Sequence, residues 1–236
     1  MSDRLYFRQL LSGRDFAVGD PVASQMLNFA YLIGDRETRE AVIIDPAYAV
    51  GDLLDVLAAD GMRLVGVLGT HHHPDHVGGS MMGFQLPGLA ELLARQQVPV
   101  HVNRDELDWV QRVTGLSTTD LTGHHHDDTI EVGAITIRLL HTPGHTPGSQ
   151  CFLLDDRLIA GDTLFLEGCG RTDFPGGDAD AMYRSLQQLA GLKGDPVVYP
   201  GHQYSTEPSA PLSSVREGNF VFRPRSLEEW RMMFGG

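Results

Sequence analysis

The stretch "GTHHHPDHVGG", residues 69–79, places four histidines and one aspartate between His71 and His76. Imidazoles this close repel one another when protonated, and polar groups gain nothing from burial unless something pairs with them. The cluster therefore calls for a partner that takes several donors at once. Neutral imidazole and carboxylate are the ligands of a borderline divalent cation such as zinc. His71 and His73 lie two positions apart, which in extended backbone sends both to the same side. Pro74 turns the chain, and Asp75 and His76 then face a second point nearby. One short loop of this kind can feed two cations.

An apolar run, "LVGVLGT" (64–70), leads straight into this loop, and the same context recurs downstream. In "LLHTPGHTPGS" (139–149), His145 sits between two Pro-Gly pairs on a tight turn that would aim one imidazole. In "LIAGDTLF" (158–165), Asp162 emerges after Gly161, and its two oxygens can bridge two cations. In "VVYPGHQY" (197–204), His202 follows a further strand-like run and Pro-Gly. Four strand ends thus deliver His71, His73, Asp75, His76, His145, Asp162 and His202. His141 reads as a strand-end residue. "GHHHDD" (123–128) reads as a solvated tract, because no apolar strand delivers it.

Short runs of branched and aromatic residues bounded by Gly, Asp or Pro predict strands over 29–33, 41–45, 64–70, 98–102, 135–140, 150–154, 157–161 and 196–201. Helical patterns occupy 50–61, 88–97, 105–115 and 178–191, and "SLEEWRMMF" (226–234) opens with Ser226 and has Glu229 three positions on, a capping box. Strands outnumber helices, and helices separate groups of strands without strict alternation. This favours an α+β chain of two layered sheets with helices outside. No repeat or convincing linker divides residues 1–236, which read as one domain, with 205–214 as a surface loop before a C-terminal tail over 206–236.

Thirty-one acidic against eighteen basic residues leave a formal net charge of −13, which repels phosphate backbones and anionic lipid and argues against nucleic acid or membrane as partners. The N-terminal "MSDRLYFRQLL" carries Asp3, Arg4 and Arg8 and lacks a signal-peptide apolar core, so the expectation is a cytoplasmic chain. Two cysteines, Cys151 and Cys169, form neither a CxxC pair nor a disulfide framework. Cys151 reads as a buried strand residue, and Cys169, in a glycine-rich loop, as partly exposed.

Taken in order, the H-x-H-x-D-H loop, the His of "TPGHTPGS", the Asp of "AGDTLF" and the His of "PGH" resemble the metallo-β-lactamase superfamily over roughly Asn28 to Tyr204. The resemblance implies an αββα sandwich with the metal site at one edge of the two sheets. It implies two divalent ions, zinc first, with iron or manganese as alternatives. His71, His73 and His145 would hold one ion and Asp75, His76 and His202 the other, with Asp162 between. Asp45, ending "AVIID", matches an acidic residue that supports the metal loop from behind.

Within that superfamily, "AGDTLFLEGCGRTDFPGGD" (160–178) looks like the glyoxalase II group, thioesterases acting on acylated small thiols. Arg171 falls where those enzymes keep a cation for the thiol tripeptide, with an ion pair to Asp173 or Asp178 as its alternative role. Tyr204 matches their G-H-x-Y. The helical C-terminal domain of the longer glyoxalase II enzymes has no counterpart between Tyr204 and Gly236, leaving Arg216, Arg223 and Arg225 as stand-ins for a carboxylate clamp. "GCGRTDF" (168–174) is also similar to persulfide dioxygenases, whose single iron would here take His71, His145 and Asp162. "FPGGD" and "YPGHQY" tilt the expectation towards hydrolysis. A metal-bound hydroxide would attack a small-molecule thiol ester, and Asp75 would take a proton. A non-enzymatic metal-binding protein is the third reading, and the chain is expected to be a monomer or homodimer.

Overall fold

The computed structural model describes residues 4–234; Met1 to Asp3 of the N-terminal stretch, and residues 235–236, lie outside the described residues. The first sheet has six strands in the order β1-β2-β3-β4-β7-β8: β1 (Leu5–Leu11), β2 (Phe29–Asp35), β3 (Glu40–Ile44), β4 (Arg63–Leu68), β7 (Val100–Asn103) and β8 (Leu121–His124). Between β4 and β7 a small hairpin, β5 (Gly79–Met81) and β6 (Phe84–Leu86), stands apart. The second sheet runs β14-β13-β12-β11-β10-β9, made of β9 (Thr129–Val132), β10 (Ile135–His141), β11 (Gln150–Leu154), β12 (Arg157–Gly161), β13 (Val197–Pro200) and β14 (Ala210–Pro211).

The helices are α1 (Pro21–Met26), α2 (Val50–Ala59), α3 (Pro74–Val77), α4 (Leu89–Arg95), α5 (Leu107–Thr114), α6 (Ala179–Ala190), α7 (Leu212–Gly218) and α8 (Leu227–Phe234). Side-chain alternation assigns the layers. In β2, Phe29, Tyr31 and Ile33 enter a cluster shared with Ile137, Leu139, Phe152 and Ile159 of the other sheet. Ala30 and Leu32 face the opposite way, into a cluster with Val50, Leu53, Leu89, Leu92 and Val110 of α2, α4 and α5. Leu158 and Ala160 of β12 meet Met182, Leu186, Leu212 and Trp230 of α6, α7 and α8. The layers therefore run helix, sheet, sheet, helix, and each strand with two apolar faces is buried from both sides. A Phe such as Phe152, fully buried between the sheets, is worth about 1.5–3 kcal/mol of transfer free energy.

Several stretches depart from the sequence expectation: α1, β5, β6, β8 and β9 form where it placed no element, and three others show why. Leu5–Leu11 forms the edge strand β1, paired to β2 from Leu5↔Asp35 to Leu11↔Phe29. Its central Arg8 and Gln9 interrupt the apolar run, which hides the strand pattern. Residues 205–214, expected as surface loop, contain β14 and the start of α7. Here tertiary contacts override Pro/Ser propensity: Leu212 and Val215 are buried, and Asp195 accepts from both the amide and the hydroxyl of Ser213 at 2.7 Å. Pro74 does not merely turn the chain. It occupies the first turn of α3, where its missing N–H costs nothing.

Both sheets are stitched together at one end. Gln150 N–H donates to Thr70 O (2.9 Å) and Phe29 N–H to Gly201 O (2.8 Å), while Gly201 N–H to Gly161 O (2.8 Å) ties the ends of β12 and β13 within the second sheet. The chain segments that leave β4, β10, β12 and β13 at this rim carry the predicted ligands.

Candidate metal centre

His71 and His73 come from the extended segment after β4, and Asp75 and His76 from α3, which the turn at Pro74 starts. His145 sits in the β10–β11 connection, Asp162 directly follows β12 and His202 follows β13. All but His73 are nine-tenths or more buried. Three groups of donor atoms converge: His71, His73 and His145; His71, His76 and Asp162; Asp75, His76 and His202.

The spacing suits ions. Donors about 2.0–2.1 Å from a tetrahedral zinc lie roughly 3.3 Å from one another. His71 Nε2 and His145 Nε2 lie 3.1 and 3.0 Å from His73 Nδ1. In the second group, His202 Nε2 lies 3.2 Å from His76 Nε2 and 3.4 Å from Asp75 Oδ2. Asp162 stands between them, with Oδ2 3.7 Å from His145 Nε2 and 3.3 Å from His202 Nε2, and Oδ1 3.4 Å from His76 Nε2. That buried Oδ1 has no hydrogen-bond partner, as expected of an oxygen reserved for a cation. Small residues make the room: a Cβ on Gly201 would stand 2.2 Å from Asp162 Oδ1, and one on Gly170 2.8 Å from the His145 ring. The residues present therefore fit two ions held by three donors each, with Asp162 between.

Burial, then the neighbouring His76, holds His71 well below the ordinary imidazole range, and burial with His145 beside it takes His73 down to about 3. Both are neutral, the form in which an imidazole can take a cation. At the other group, burial works against charge, but Asp162 and Asp75 overcome it and raise His76 to about 10. Burial likewise opposes the charge on Asp162, yet His202 and His76 hold it below the usual carboxylate range. The carboxylates gather positive charge, and a cation that binds there displaces protons.

Supporting contacts fix the ring orientations. Asp45, at φ +54°, accepts from the amide (2.8 Å) and hydroxyl (2.6 Å) of Thr70, and its Oδ2 lies 2.9 Å from His76 Nδ1. His145 Nδ1 donates to Arg171 O at 2.7 Å and His202 Nδ1 to Met26 O at 2.8 Å. With those nitrogens occupied, Nε2 of each ring faces the cluster.

Sequence reasoning missed two contributors. Asn28 donates to Asp75 Oδ2 (3.1 Å) and accepts from Tyr48 O–H (2.9 Å). Glu106, at the start of α5 and only 1% exposed, ties two ligand loops together. It accepts from His72 N–H at 2.8 Å and from Gly148 N–H at 2.7 Å, and its Oε1 lies 2.5 Å from His72 Nδ1. His72 thus turns away from the ligands and stacks on Trp109 at 4.8 Å. Gly148 was the available signal, since a side chain there would collide with Glu106.

Of the substrate candidates, Arg171 forms a bidentate pair with Asp173 (2.9 and 2.6 Å) and lies 4.4 Å over the Phe174 ring. Asp178 instead caps α6. Tyr204 stacks on His202 at 4.8 Å and 9°. Both line the cavity that opens onto the ligands, but Arg216, Arg223 and Arg225 do not, so none of these three can act as a clamp there. "GHHHDD" ends β8 away from the three donor groups: His124 Nε2 lies 2.9 Å from His101 Nδ1. Cys151 is fully buried and Cys169 partly so.

The sequence profile of the Metallo-beta-lactamase superfamily matches residues 25–202, the segment that carries all seven donors. The chain belongs to the metallo-beta-lactamase superfamily. Its superfamily relatives include the mitochondrial persulfide dioxygenase ETHE1 of Homo sapiens, 37% identical over 216 residues, 88% of this chain and 76% of that protein. Another is BaeB of Bacillus velezensis, named a probable polyketide biosynthesis zinc-dependent hydrolase, 32% identical over 207 residues, 86% of this chain and 85% of that protein. Among solved structures, ETHE1 from Myxococcus xanthus superposes with a TM-score of 0.78 at 31% identity, covering 98% of this chain and 90% of that one. The αββα sandwich is thus the superfamily's fold, and the chain is one of its metal-dependent enzymes. Among the described residues no helix is long and apolar enough to cross a membrane.

Proposed function

We propose that this chain is a dinuclear metal hydrolase, zinc-dependent, that cleaves acyl thioesters of small thiols into carboxylic acid and free thiol. One observation carries the reading: six donors form two groups of three on either side of a seventh, Asp162, enough for two ions rather than one. A relative named as a zinc-dependent hydrolase supports it. Bound ions would supply Lewis acidity and bring the pKa of water to about 7.

The protein's own residues set the geometry. His71, His73 and His145 would hold one ion, and Asp75, His76 and His202 the other. Asp45 and the carbonyl of Arg171 keep His76 and His145 aimed at them. Asp75, fixed by the Asn28 amide at 3.1 Å, is the carboxylate placed to take the proton that water gives up as its oxygen attacks the thioester carbon. The C–S bond then breaks with its electron pair going to sulfur. A thiol pKa near 8.5 makes that departure easy without a dedicated acid. No Ser or Cys nucleophile is needed. The net charge of −13 sets the chain against nucleic acid as substrate.

The second reading, a persulfide dioxygenase with one iron on His71, His145 and Asp162, is favoured by the 37% identity to the human enzyme of that name. Elemental analysis of freshly purified protein, paired with thioester hydrolysis and oxygen-uptake assays, decides between them. Two ions per chain and hydrolysis support the proposal. One iron per chain and oxygen uptake with a thiol persulfide overturn it.

A further inference from the structure

The cavity above the ligands is large and mostly apolar. It encloses about 1280 Å³, more than the roughly 300–1,000 Å³ of an ordinary small-molecule pocket. His73, Asp75, His145, Asp162 and His202 open into it, so an occupant necessarily reaches the ions. Soluble proteins seldom gather large exposed apolar side chains without a use for them. Here Met82, Phe174, Tyr204, Phe220 and Met233 all line this one cavity at 86, 39, 54, 42 and 54% exposure.

The lining comes from separate parts of the chain. Met82 is at the β5–β6 turn, Trp109 on α5 and Phe174 before α6; Phe220, Met233 and Phe234 belong to the C-terminal segment. That segment is anchored: Trp230 is 1% exposed, donates to Ala179 O at 2.7 Å and packs 4.2 Å from Phe234, which stacks on Phe220 at 5.9 Å. Charge is balanced. Arg171 is paired with Asp173, and Arg112 lies 5.5 Å over the Trp109 ring, while Glu167 adds a carboxylate. A substrate body that bears several carboxylates finds little to clamp it. A hydrocarbon finds a wall along its length.

We propose that this cleft binds the apolar acyl group of a medium- or long-chain thioester, with the thioester carbonyl over the metal ligands and the hydrocarbon lying among Met82, Trp109, Phe174, Phe220, Met233 and Phe234. This rests on the thioesterase reading and specifies its substrate class.

The test uses metal-loaded protein and straight-chain thioesters of one neutral thiol, from two to eight acyl carbons. Each methylene fully removed from water is worth up to about fourfold, and in a half-open cleft kcat/KM rises at least about tenfold from acetyl to octanoyl, carried by KM. Met233→Glu collapses the octanoyl-to-acetyl ratio. The uncleavable octyl thioether changes the fluorescence of the cleft tryptophans, Trp109 and Trp230, on binding, which the methyl thioether does not. A flat or falling chain-length profile, with thioesters still cleaved, overturns the substrate class and leaves the hydrolase standing. No cleavage at any length with two ions bound overturns both. A dimer that Met233→Glu dissociates, with the chain-length ratio unchanged, makes the face a contact between copies and also overturns the proposal.

Discussion

Replacing Glu106 tests whether the ligand loops are held from behind. Its carboxylate accepts two backbone N–H groups, His72 at 2.8 Å and Gly148 at 2.7 Å, and contacts His72 Nδ1 at 2.5 Å. Those amides belong to the two loops that carry His71 with His73 and His145. Glu106→Ala leaves both amides buried without an acceptor, at about 1–3 kcal/mol each, so stability falls by about 3–5 kcal/mol. Glu106→Gln keeps the shape, but its amide nitrogen meets one of the N–H donors. One charge-assisted bond is lost, about 1.5–3 kcal/mol. Loosening support behind metal ligands lowers affinity by about 10–100-fold. Urea unfolding of the metal-free chain measures the first effect, and competition with a chromogenic zinc chelator measures the second. If Glu106→Gln unfolds within about 0.5 kcal/mol of the native chain and holds both ions as tightly, the strap has no role.

Gly201→Ala drives a Cβ to 2.2 Å from Asp162 Oδ1 and 3.0 Å from the Gly161 backbone, so elemental analysis should find at least one ion lost while circular dichroism is kept; two tightly held ions would refute the close fit. Zinc at about a thousand times its Kd stabilises the folded chain by about 4 kcal/mol, a melting shift of about 10 °C; a shift under about 2 °C would mean that the buried donors are not a metal site. Burial, then the neighbouring His124, holds His101 down at about 4. Its folded value lies below its unfolded value of about 6.5, so this stability is complete above that pH and is lost as pH falls towards 4. The native chain should therefore lose about 3 kcal/mol more than His101→Leu over that window in pH-dependent urea melts, and parallel curves would sink the assignment. Trp230→Ala should cost about 3–5 kcal/mol by denaturant unfolding because the ring, carried on α8, is 1% exposed against Tyr183 of α6; a loss under 1 kcal/mol would mean that α8 is not anchored there.

Much of the centre is legible in the chain itself. A metal ligand must be one of a few side chains, and loops that end strands repeat local signs: His71 to His76 after "LVGVLGT", His145 between Pro-Gly pairs, His202 after Pro-Gly. The central strands are legible for a similar reason, since residues such as Phe29–Ile33 and Cys151–Leu154 are apolar on both faces wherever they sit, whereas β1, β8, β9 and β14 are not. Where neighbours replace local preference, legibility ends. Leu5–Leu11 is an edge strand only because β2 offers it a ladder, and 212–218 is helical because Asp195 and the core favour it.

By itself, then, the sequence marked out candidate donors, the chemistry of their side chains and the alternation of the central strands. Only the tertiary structure decided that the donors sort into two groups, that Glu106 straps their loops, that Arg171 is tied to Asp173, and that scattered aromatic and methionine residues line one cavity. The reason is the range of the forces. Backbone propensity and side-chain type act within a few residues, whereas a buried carboxylate or an apolar wall takes its meaning from groups that only the folded chain brings within contact distance.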